Sequence, residues 1–353
     1  MDIKQEMQGV SRALRMVWED DRLQYTSLIR RASWTNGPIY VTGNGASYLA
    51  GITGAYAFES LLDLPVVVRP PATFNAFTSA AVVPRSLLIA ISDSGECEAT
   101  LEAAEQAKKR GATVWALTRN VSGPLALLAD GIVPLQAGET PAEGIQSTFL
   151  QHATMVILAL AAAHALKKPS FPVESIANEF ERLPQQIEWL QTQMADAART
   201  LAAELKTLPA LLVAGGGFHH PAALQACHHL GHLTDIRAHG FDLSGQQHFL
   251  AEVLKGSDSL LVLSGSRSRL KTYVHQAARE ARRQNMKVFA ITDPNDRQLS
   301  ERATLAVLLP VLTEPASSLL NLALLSLIIH YVARKSSGQK STALTSPKQL
   351  PAR

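Results

Sequence analysis

The sequence predicts an α/β protein built from two doubly wound parallel-sheet modules in tandem. Short apolar runs rich in β-branched residues alternate with amphipathic segments of helical period, which is typical of parallel strands covered by helices on both faces. The chain has 353 residues, and 46% of them are hydrophobic. Because this length exceeds the usual size of one domain, we expect two.

An internal repeat indicates where each of the two modules lies in the sequence. Three apolar runs of the first half, each next to a helical pattern, have counterparts in the second half at a nearly constant offset. The pairs are 38–45 with 210–217, 86–91 with 259–263, and 114–118 with 288–292. Self-similarity over so long a span indicates a duplicated domain, since the repeats of a solenoid are far shorter.

The seam between the modules is predicted at residues 167–172, because two closely spaced prolines cannot continue the preceding helix. We therefore expect N-terminal helices plus the first module over 1–170. Linking helices, the second module and a C-terminal tail would occupy 171–353, with the linking helices between Val173 and about Leu205. The apolar run 319–332 is shorter than the about 20 residues that cross a bilayer, so it is predicted to be a buried helix.

Charge and cysteine content exclude several classes of partner. Thirty-three Lys and Arg residues against 30 Asp and Glu residues give a net charge of +3, and the basic residues are scattered. We therefore expect no nucleic acid partner. Two cysteines in different halves, Cys97 and Cys227, and an N-terminus without an apolar leader predict a cytoplasmic protein with no membrane partner.

Two serine-bearing turns follow strands of the first module. Ser92, Ser94 and Gly95 come directly after the run 86–91, and Ser47 follows Gly43-Asn-Gly-Ala. Ligands of open parallel sheets bind beyond the carboxyl ends of the strands, where helix N-termini offer unpaired N–H groups. Hydroxyl groups and a close backbone approach at this place favour a phosphate site.

A phosphate site is not the only structure that these residues could form. Ser94 or Asp93 alone could cap a helix beginning near Glu96, although a second serine-bearing turn in the same module favours binding. A nucleotide is not expected, because the spacing of the glycines departs from G-x-G-x-x-G and no P-loop lysine follows.

Taken together, these motifs resemble the sugar isomerase (SIS) domain family. The matching stretches are GNGASY at 43–48, ISDSGE at 91–96, the segment 118–130 and GIQST at 144–148. The resemblance is greatest to the tandem isomerase half of glucosamine-6-phosphate synthase and to the related aminosugar-phosphate deaminases and fructosamine-6-phosphate deglycases. It covers the chain from about Pro38 and is weaker in the second module.

The resemblance implies flavodoxin-like modules and a sugar-phosphate site. Ser47, Ser92 and Ser94 would hold the phosphate, and Ser147 would contact the sugar. Asp93 and Cys97 would line the same site, but Asp93 stands where the family has Gln, and Cys97 where it has Thr.

A third departure, Ala46 in place of Thr, removes another hydroxyl group from the phosphate side. The carboxylate of Asp93 would repel a dianion unless it turns away, for example to face solvent as a cap, or pairs with a cation.

The second module contains an unusual cluster of histidines, seven of eleven falling between Phe218 and Phe249. They are His219, His220, His228, His229, His232, His239 and His248. His228 and His232, four apart on a predicted helix, could chelate a metal, but the other ligands of a zinc-protease helix are absent. We therefore expect no metal and no cofactor.

The resemblance gives two of these histidines roles. His232 stands where the family has the Glu that moves a proton between C1 and C2, and His248 stands near the His that assists ring opening. Imidazole titrates near neutral pH and can transfer such a proton. The alternative is that the histidines are buried, neutral and non-catalytic.

Other candidates complete the predicted catalytic group. If His232 is not the base, the nearby carboxylates Glu252, Asp235 and Asp242 are substitutes. Lys348 stands within about a residue of the tail lysine that folds over the open-chain sugar in the family.

These observations predict a cytoplasmic enzyme that acts on a 6-phosphorylated sugar or amino sugar as an isomerase, deaminase or deglycase. No glutaminase domain is expected, because the chain begins Met1-Asp2 rather than with a nucleophilic Cys. Family sites are completed by a histidine of the partner subunit, so a homodimer is expected, with the apolar helices near 151–166 and 319–332 offering surface between chains. The alternative is a sugar-phosphate sensor or regulatory subunit without turnover.

Overall fold

The structure is a computed structural model that describes residues 3–31, 37–138, 144–167, 173–245, 250–254 and 259–333. The first module follows two N-terminal helices, α1 (Ile3–Met16) and α2 (Arg22–Arg31). Its elements are β1 (Ile39–Gly43), α3 (Ala46–Leu62), β2 (Val66–Arg69), α4 (Pro71–Thr73), β3 (Leu87–Ile91), α5 (Glu98–Lys109), β4 (Thr113–Thr118), α6 (Pro124–Leu128), β5 (Gly131–Pro134) and α7 (Ile145–Ala165).

Two helices, α8 (Val173–Gln193) and α9 (Ala195–Lys206), lead to the second module. Its elements are β6 (Ala210–Gly215), α10 (His219–Leu233), β7 (Arg237–Asp242), α11 (Leu250–Leu254), β8 (Ser259–Leu263), α12 (Lys271–Arg283), β9 (Lys287–Thr292), α13 (Arg297–Ser300), β10 (Leu305–Leu308) and α14 (Glu314–Ala333). Most of the predicted seam, residues 168–172, lies outside the described residues.

Both sheets are parallel and have the same strand order. The first is β2-β1-β3-β4-β5 and the second is β7-β6-β8-β9-β10. Strand order reverses between β1 and β3, and again between β6 and β8, which is where ligands bind in doubly wound sheets. The predicted fold class is therefore confirmed, and the repeated runs of the sequence form β1 and β6, β3 and β8, and β4 and β9.

The core is centred on α7 and α14, which are buried on almost every side. Helix α3 packs against α7, α10 packs against α14, and one apolar cluster continues through both modules. Burial on all sides explains why these two helices are apolar without an amphipathic period.

Two expectations about these helices need correction. The second runs over Glu314–Ala333, 20 residues, so it is longer than the sequence pattern suggested, and both are long and apolar enough to cross a membrane. In each, 89% of the apolar window is buried inside the fold, as expected of core helices. Because α7 and α14 are buried within one chain, they do not provide the apolar surface that was expected between two chains.

Candidate functional site

The turn after β3, residues 92–95, is named the serine turn. Ser92 is buried, and its Oγ accepts a hydrogen bond from the Gly95 backbone N–H at 3.2 Å. Gly95 has φ +73°, and a Cβ there would lie 3.1 Å from Thr118 Oγ1. Glycine therefore allows the tight turn, which brings backbone N–H groups to the carboxyl edge of the sheet.

Ser94 is exposed at the tip of the serine turn, and its Oγ accepts a hydrogen bond from the Glu96 backbone N–H at 3.2 Å. Helix α5 begins only at Glu98, after the N-cap residue Cys97, and no side chain caps it. The alternative in which Ser94 or Asp93 caps this helix is therefore wrong. Cys97 is a half-buried free thiol at the N-cap.

A second turn, after β1, lies at the same edge, because β1 and β3 are neighbouring parallel strands. Gly45 precedes α3 with φ 54°, and Ser47 lies in the first turn of the helix, 7% exposed. Gly43 is needed for the close approach, since a Cβ there would lie 2.7 Å from Ser47 Cβ. The structure thus places Ser47 and the serine turn on the two sides of the switch point, as predicted.

Asp93 does not face solvent. Its Oδ2 accepts a hydrogen bond from Arg119 Nη2 at 2.8 Å, and its Oδ1 accepts one from Ser147 Oγ at 2.6 Å. The Asp93 side chain is 10% exposed. The expectation of a solvent-facing cap is wrong, and the other stated possibility, pairing with a cation, is what the structure has.

Arg119 was missed by the sequence analysis. It follows β4, so it lies at the carboxyl edge beside the serine turn, and its Nη1 also donates to the Gly138 carbonyl at 3.1 Å. The rule that selected the two serine-bearing turns, polar residues directly after adjacent parallel strands, applies equally to this position.

Ser147 joins the serine turn to α7. It is fully buried in the first turn of that helix, donates to Asp93 and accepts from Gln151 Nε2 at 3.4 Å. The predicted sugar-contacting serine is thus within hydrogen-bond distance of the serine turn. Its hydroxyl hydrogen is engaged by the Asp93 carboxylate, which a bound sugar would have to share or displace.

A buried polar row links the modules beside this site. His229 Nε2 lies 3.3 Å from Thr148 Oγ1 and 3.0 Å from Gln225 Nε2. Gln225 also interacts with His152. On α10, Gln225 lies opposite His152 of α7, and His229 lies opposite Thr148 of α7. The chain direction of α10 is therefore antiparallel to that of α7, and the last turn of α10 lies beside the first turn of α7.

His152 belongs to the same row. Its Nδ1 lies 2.7 Å from Thr53 Oγ1 on α3, and the ring is fully buried. Burial lowers the pKa of His152 to about 4, although the interaction with Gln225 opposes the shift. His152 is therefore neutral near pH 7.

His232 lies in the last turn of α10 and is exposed, in contrast to the alternative in which the clustered histidines are all buried. Its ring stacks on that of His228 with centroids 6.3 Å apart and planes 7° from parallel. The antiparallel packing puts this end of α10 beside the first turn of α7, which carries Ser147. Within the described residues, no group of three or more His, Cys, Asp or Glu side chains forms a metal-binding cluster.

The remaining catalytic candidates are less well placed or not described. Glu252 is exposed on α11, which packs against α12 on the face of the second sheet opposite to α10. Asp235 is exposed after α10, and Asp242 accepts from Ser244 N at 2.9 Å. His248 and Lys348 lie outside the described residues.

The equivalent turn of the second module, residues 264–268 after β8, is occupied by carboxylates of the chain itself. Asp293 Oδ2 accepts from Ser266 N at 2.6 Å, and Glu314 Oε1 accepts from Ser268 Oγ at 2.9 Å. Burial raises the pKa of Glu314, while its hydrogen bond with Ser268 opposes the shift. An anion would meet two carboxylates there, so the first module holds the candidate anion site.

A model of the SIS domain matches residues 35–164 and 205–332. The glutamine–fructose-6-phosphate aminotransferase (isomerizing) of Chlorobaculum tepidum is 25% identical over 298 residues, covering 84% of this chain and 48% of that protein. Its counterpart in Mycolicibacterium paratuberculosis is 30% identical over 213 residues, covering 60% and 34%. The chain thus spans about half the length, or less, of these curated relatives.

Solved structures show the same fold. The C-terminal domain of glucosamine-fructose-6-phosphate aminotransferase from Francisella tularensis superposes with a TM-score of 0.82 at 16% identity, covering 94% of this chain and 95% of that one. Tagatose-6-phosphate ketose/aldose isomerase from Escherichia coli gives a TM-score of 0.71 at 17% identity, covering 94% and 91%. The resemblance inferred from the sequence motifs is confirmed.

Proposed function

We propose, from the premise that this chain belongs to the SIS domain family, that it binds a 6-phosphorylated sugar or amino sugar at the carboxyl edge of the first sheet and processes it. The reaction class is C1/C2 proton transfer, as in an isomerase, an aminosugar-phosphate deaminase or a fructosamine-phosphate deglycase. The observation that carries the proposal is the meeting of the serine turn, Ser47 and Ser147 at one switch point.

The electrostatics of the site support an anionic ligand. Arg119 neutralises Asp93, so the carboxylate does not face a phosphate uncompensated. The start of α5, which no side chain caps, offers hydrogen-bond donors and a positive helix end to the phosphate. In the second module, carboxylates hold the equivalent donors, which supports one sugar-phosphate site per chain.

The proposed chemistry needs a base for the carbon-bound proton. In the open-chain sugar, the base takes a proton from the carbon next to the carbonyl or iminium group and returns it to the neighbouring carbon, so that no external oxidant or reductant is required. His232 is the proposed base, and the last turn of α10 lies beside the first turn of α7. His248 for ring opening and Lys348 over the sugar remain proposals from the family resemblance.

The dimer is part of the same proposal, because a ring-opening His248 would come from the partner subunit. The expected location of the enzyme is the cytoplasm. Sedimentation at micromolar concentration tests the dimer, and a monomer would remove the partner's contribution to the site.

The function is tested by incubating the protein with fructose 6-phosphate, glucosamine 6-phosphate and fructosamine 6-phosphates in deuterium oxide. Deuterium incorporation at C1 or C2, followed by NMR, is the expected result. The rival function is a sensor that binds sugar phosphate without turnover, which the exposed, stacked His232 in place of a Glu favours. Saturable binding without exchange for any of the three substrates would select the sensor.

A further inference from the structure

A concave surface lined by four arginines lies at the amino-terminal edge of the second sheet, opposite to the edge that binds ligands in this fold. The end of α12 provides Arg279, Arg282 and Arg283, and the turn before β10 provides Arg302 together with Glu301 and Ala303. The concavity holds about 470 Å³ and opens to solvent. These residues are named the arginine surface.

The arginine surface carries four guanidinium groups and, within the described residues of its lining, one carboxylate, that of Glu301. Arg282 Nη1 donates to Thr304 Oγ1 at 3.4 Å, and Arg302 Nη1 donates to the Gln298 carbonyl at 3.3 Å. These acceptors are neutral, so they orient the groups without cancelling their charge. Within the described residues, Arg283 is the member of the set that forms an ion pair, with Glu280 at 3.4 Å.

In the first module, the cation at the equivalent position forms an ion pair. At the same edge, Lys108 at the end of α5 lies 2.9 Å from Asp130, the residue before β5. The other oxygen of Asp130 accepts from the Val114 backbone N–H at 2.9 Å. The cation of this module is therefore compensated by a carboxylate that is fixed to the sheet.

The second module repeats this arrangement with the carboxylate removed. Thr304, the residue before β10, accepts from the Val288 backbone N–H at 3.1 Å, as Asp130 does from Val114. Arg282 contacts Thr304 in the position of Lys108. The duplicated architecture is thus retained, while a hydroxyl group in place of a carboxylate gives the cation of the second module a neutral partner at this position.

The chemistry of the surface specifies its ligand. Positions 279, 282 and 283 are spaced three and four apart, so they share one helical face. Arginine forks bind phosphate oxygens in pairs, and several forks around one concavity match more than one phosphate group. We propose that the arginine surface binds a small ligand carrying two linked phosphate groups, either free or as the diphosphate of a nucleotide. This site is separate from the sugar-phosphate site and does not rest on its function.

The test is calorimetric titration of the full chain with inorganic pyrophosphate at low ionic strength. Saturable binding is expected, and the Thr304→Asp variant, which recreates the pair of the first module, should weaken it at least tenfold. Arg279 is exposed, so Arg279→Gln should fold, and this variant should weaken pyrophosphate binding to a similar extent. The matched control is Arg110→Gln at the end of the equivalent helix α5, which should leave binding unchanged.

Further titrations separate the sources of the ligand. ADP binding more tightly than pyrophosphate would identify a nucleotide, and equal affinities would identify a free diphosphate. The proposal fails if pyrophosphate does not bind at millimolar concentration, if orthophosphate binds equally well, or if neither Thr304→Asp nor Arg279→Gln weakens binding. Loss of binding in Ser94→Ala instead would place the anion in the first module and also overturn it.

Discussion

The guanidinium of Arg119 lies 2.8 Å from the carboxylate of Asp93, so the charged residue of the serine turn carries its own counter-ion. Asp93 also accepts from Ser147, which lies in the first turn of α7. The ion pair therefore connects three segments of the site: the turn after β3, the end of β4 and the start of α7. If the proposed sugar phosphate binds here, it meets a neutral pair rather than a bare carboxylate.

Changing either member of this pair should alter phosphate affinity in opposite directions. In Asp93→Asn the guanidinium of Arg119 becomes available to the phosphate, so fructose 6-phosphate should bind roughly tenfold more tightly. In Arg119→Ala the carboxylate is left uncompensated, and binding should weaken tenfold or more. Calorimetry measures the affinity of both variants for fructose 6-phosphate. The control is Asp130→Asn, at the opposite edge of the first sheet. Equal affinity in all four proteins would place the phosphate away from this pair.

Removing the hydroxyl group of Ser94 should weaken sugar-phosphate binding without unfolding the chain. The side chain is exposed, and a charge-assisted hydrogen bond contributes about 1.5–3 kcal/mol, so a loss of roughly tenfold or more is expected for Ser94→Ala. The matched control is Ser266→Ala in the equivalent turn of the second module, where Asp293 holds the backbone. If the two variants bind alike, Ser94 serves only the local turn.

The sequence predicted the strands and the duplication because the signals are local. An apolar run ending at glycine or serine specifies a strand and its turn, and the runs 38–45 and 210–217 repeat the same signal. The Asp93 pairing was only one of two open possibilities, because its partner Arg119 is brought near by the parallel register of β3 and β4. Similarly, the contact between His229 and Thr148 depends on how α10 is positioned relative to α7, which the hydrophobic period of neither helix specifies.

Burial of His152 should make the fold less stable in mild acid. Its pKa of about 4 in the folded chain lies below the ordinary value of 6.5, so between these pH values the unfolded chain binds a proton that the folded chain excludes. The free energy of unfolding should therefore fall as pH drops from 6.5 to 4, by at most about 1.4 kcal/mol per pH unit from this group.

Urea denaturation at several pH values measures the free energy of unfolding of each variant. The difference between two variants removes the contribution of the titrating groups that they share. His152→Gln should flatten the decline relative to the unaltered chain. The control, His164→Gln, changes an exposed residue of the same helix and should keep the original slope. An unchanged slope in His152→Gln would mean that this ring is protonated in the folded chain.

Removing the imidazole of His232 tests its proposed role as the base for C1/C2 proton transfer. A general base must lie within hydrogen-bond reach of the proton that it takes, and such a group contributes roughly 10²–10⁴ in rate. His232→Ala should therefore abolish deuterium exchange into the sugar while fructose 6-phosphate binding persists, since the serine turn is untouched.

His228→Ala is the control, because it removes the stacked neighbour and leaves the proposed base in place. His232→Glu should retain or raise exchange, because it supplies the carboxylate that the family resemblance implies at this place. Full exchange in His232→Ala would exclude the histidine and direct the search to Asp235 or Asp242, whereas exchange absent from every form, with binding intact, would leave the sensor as the function.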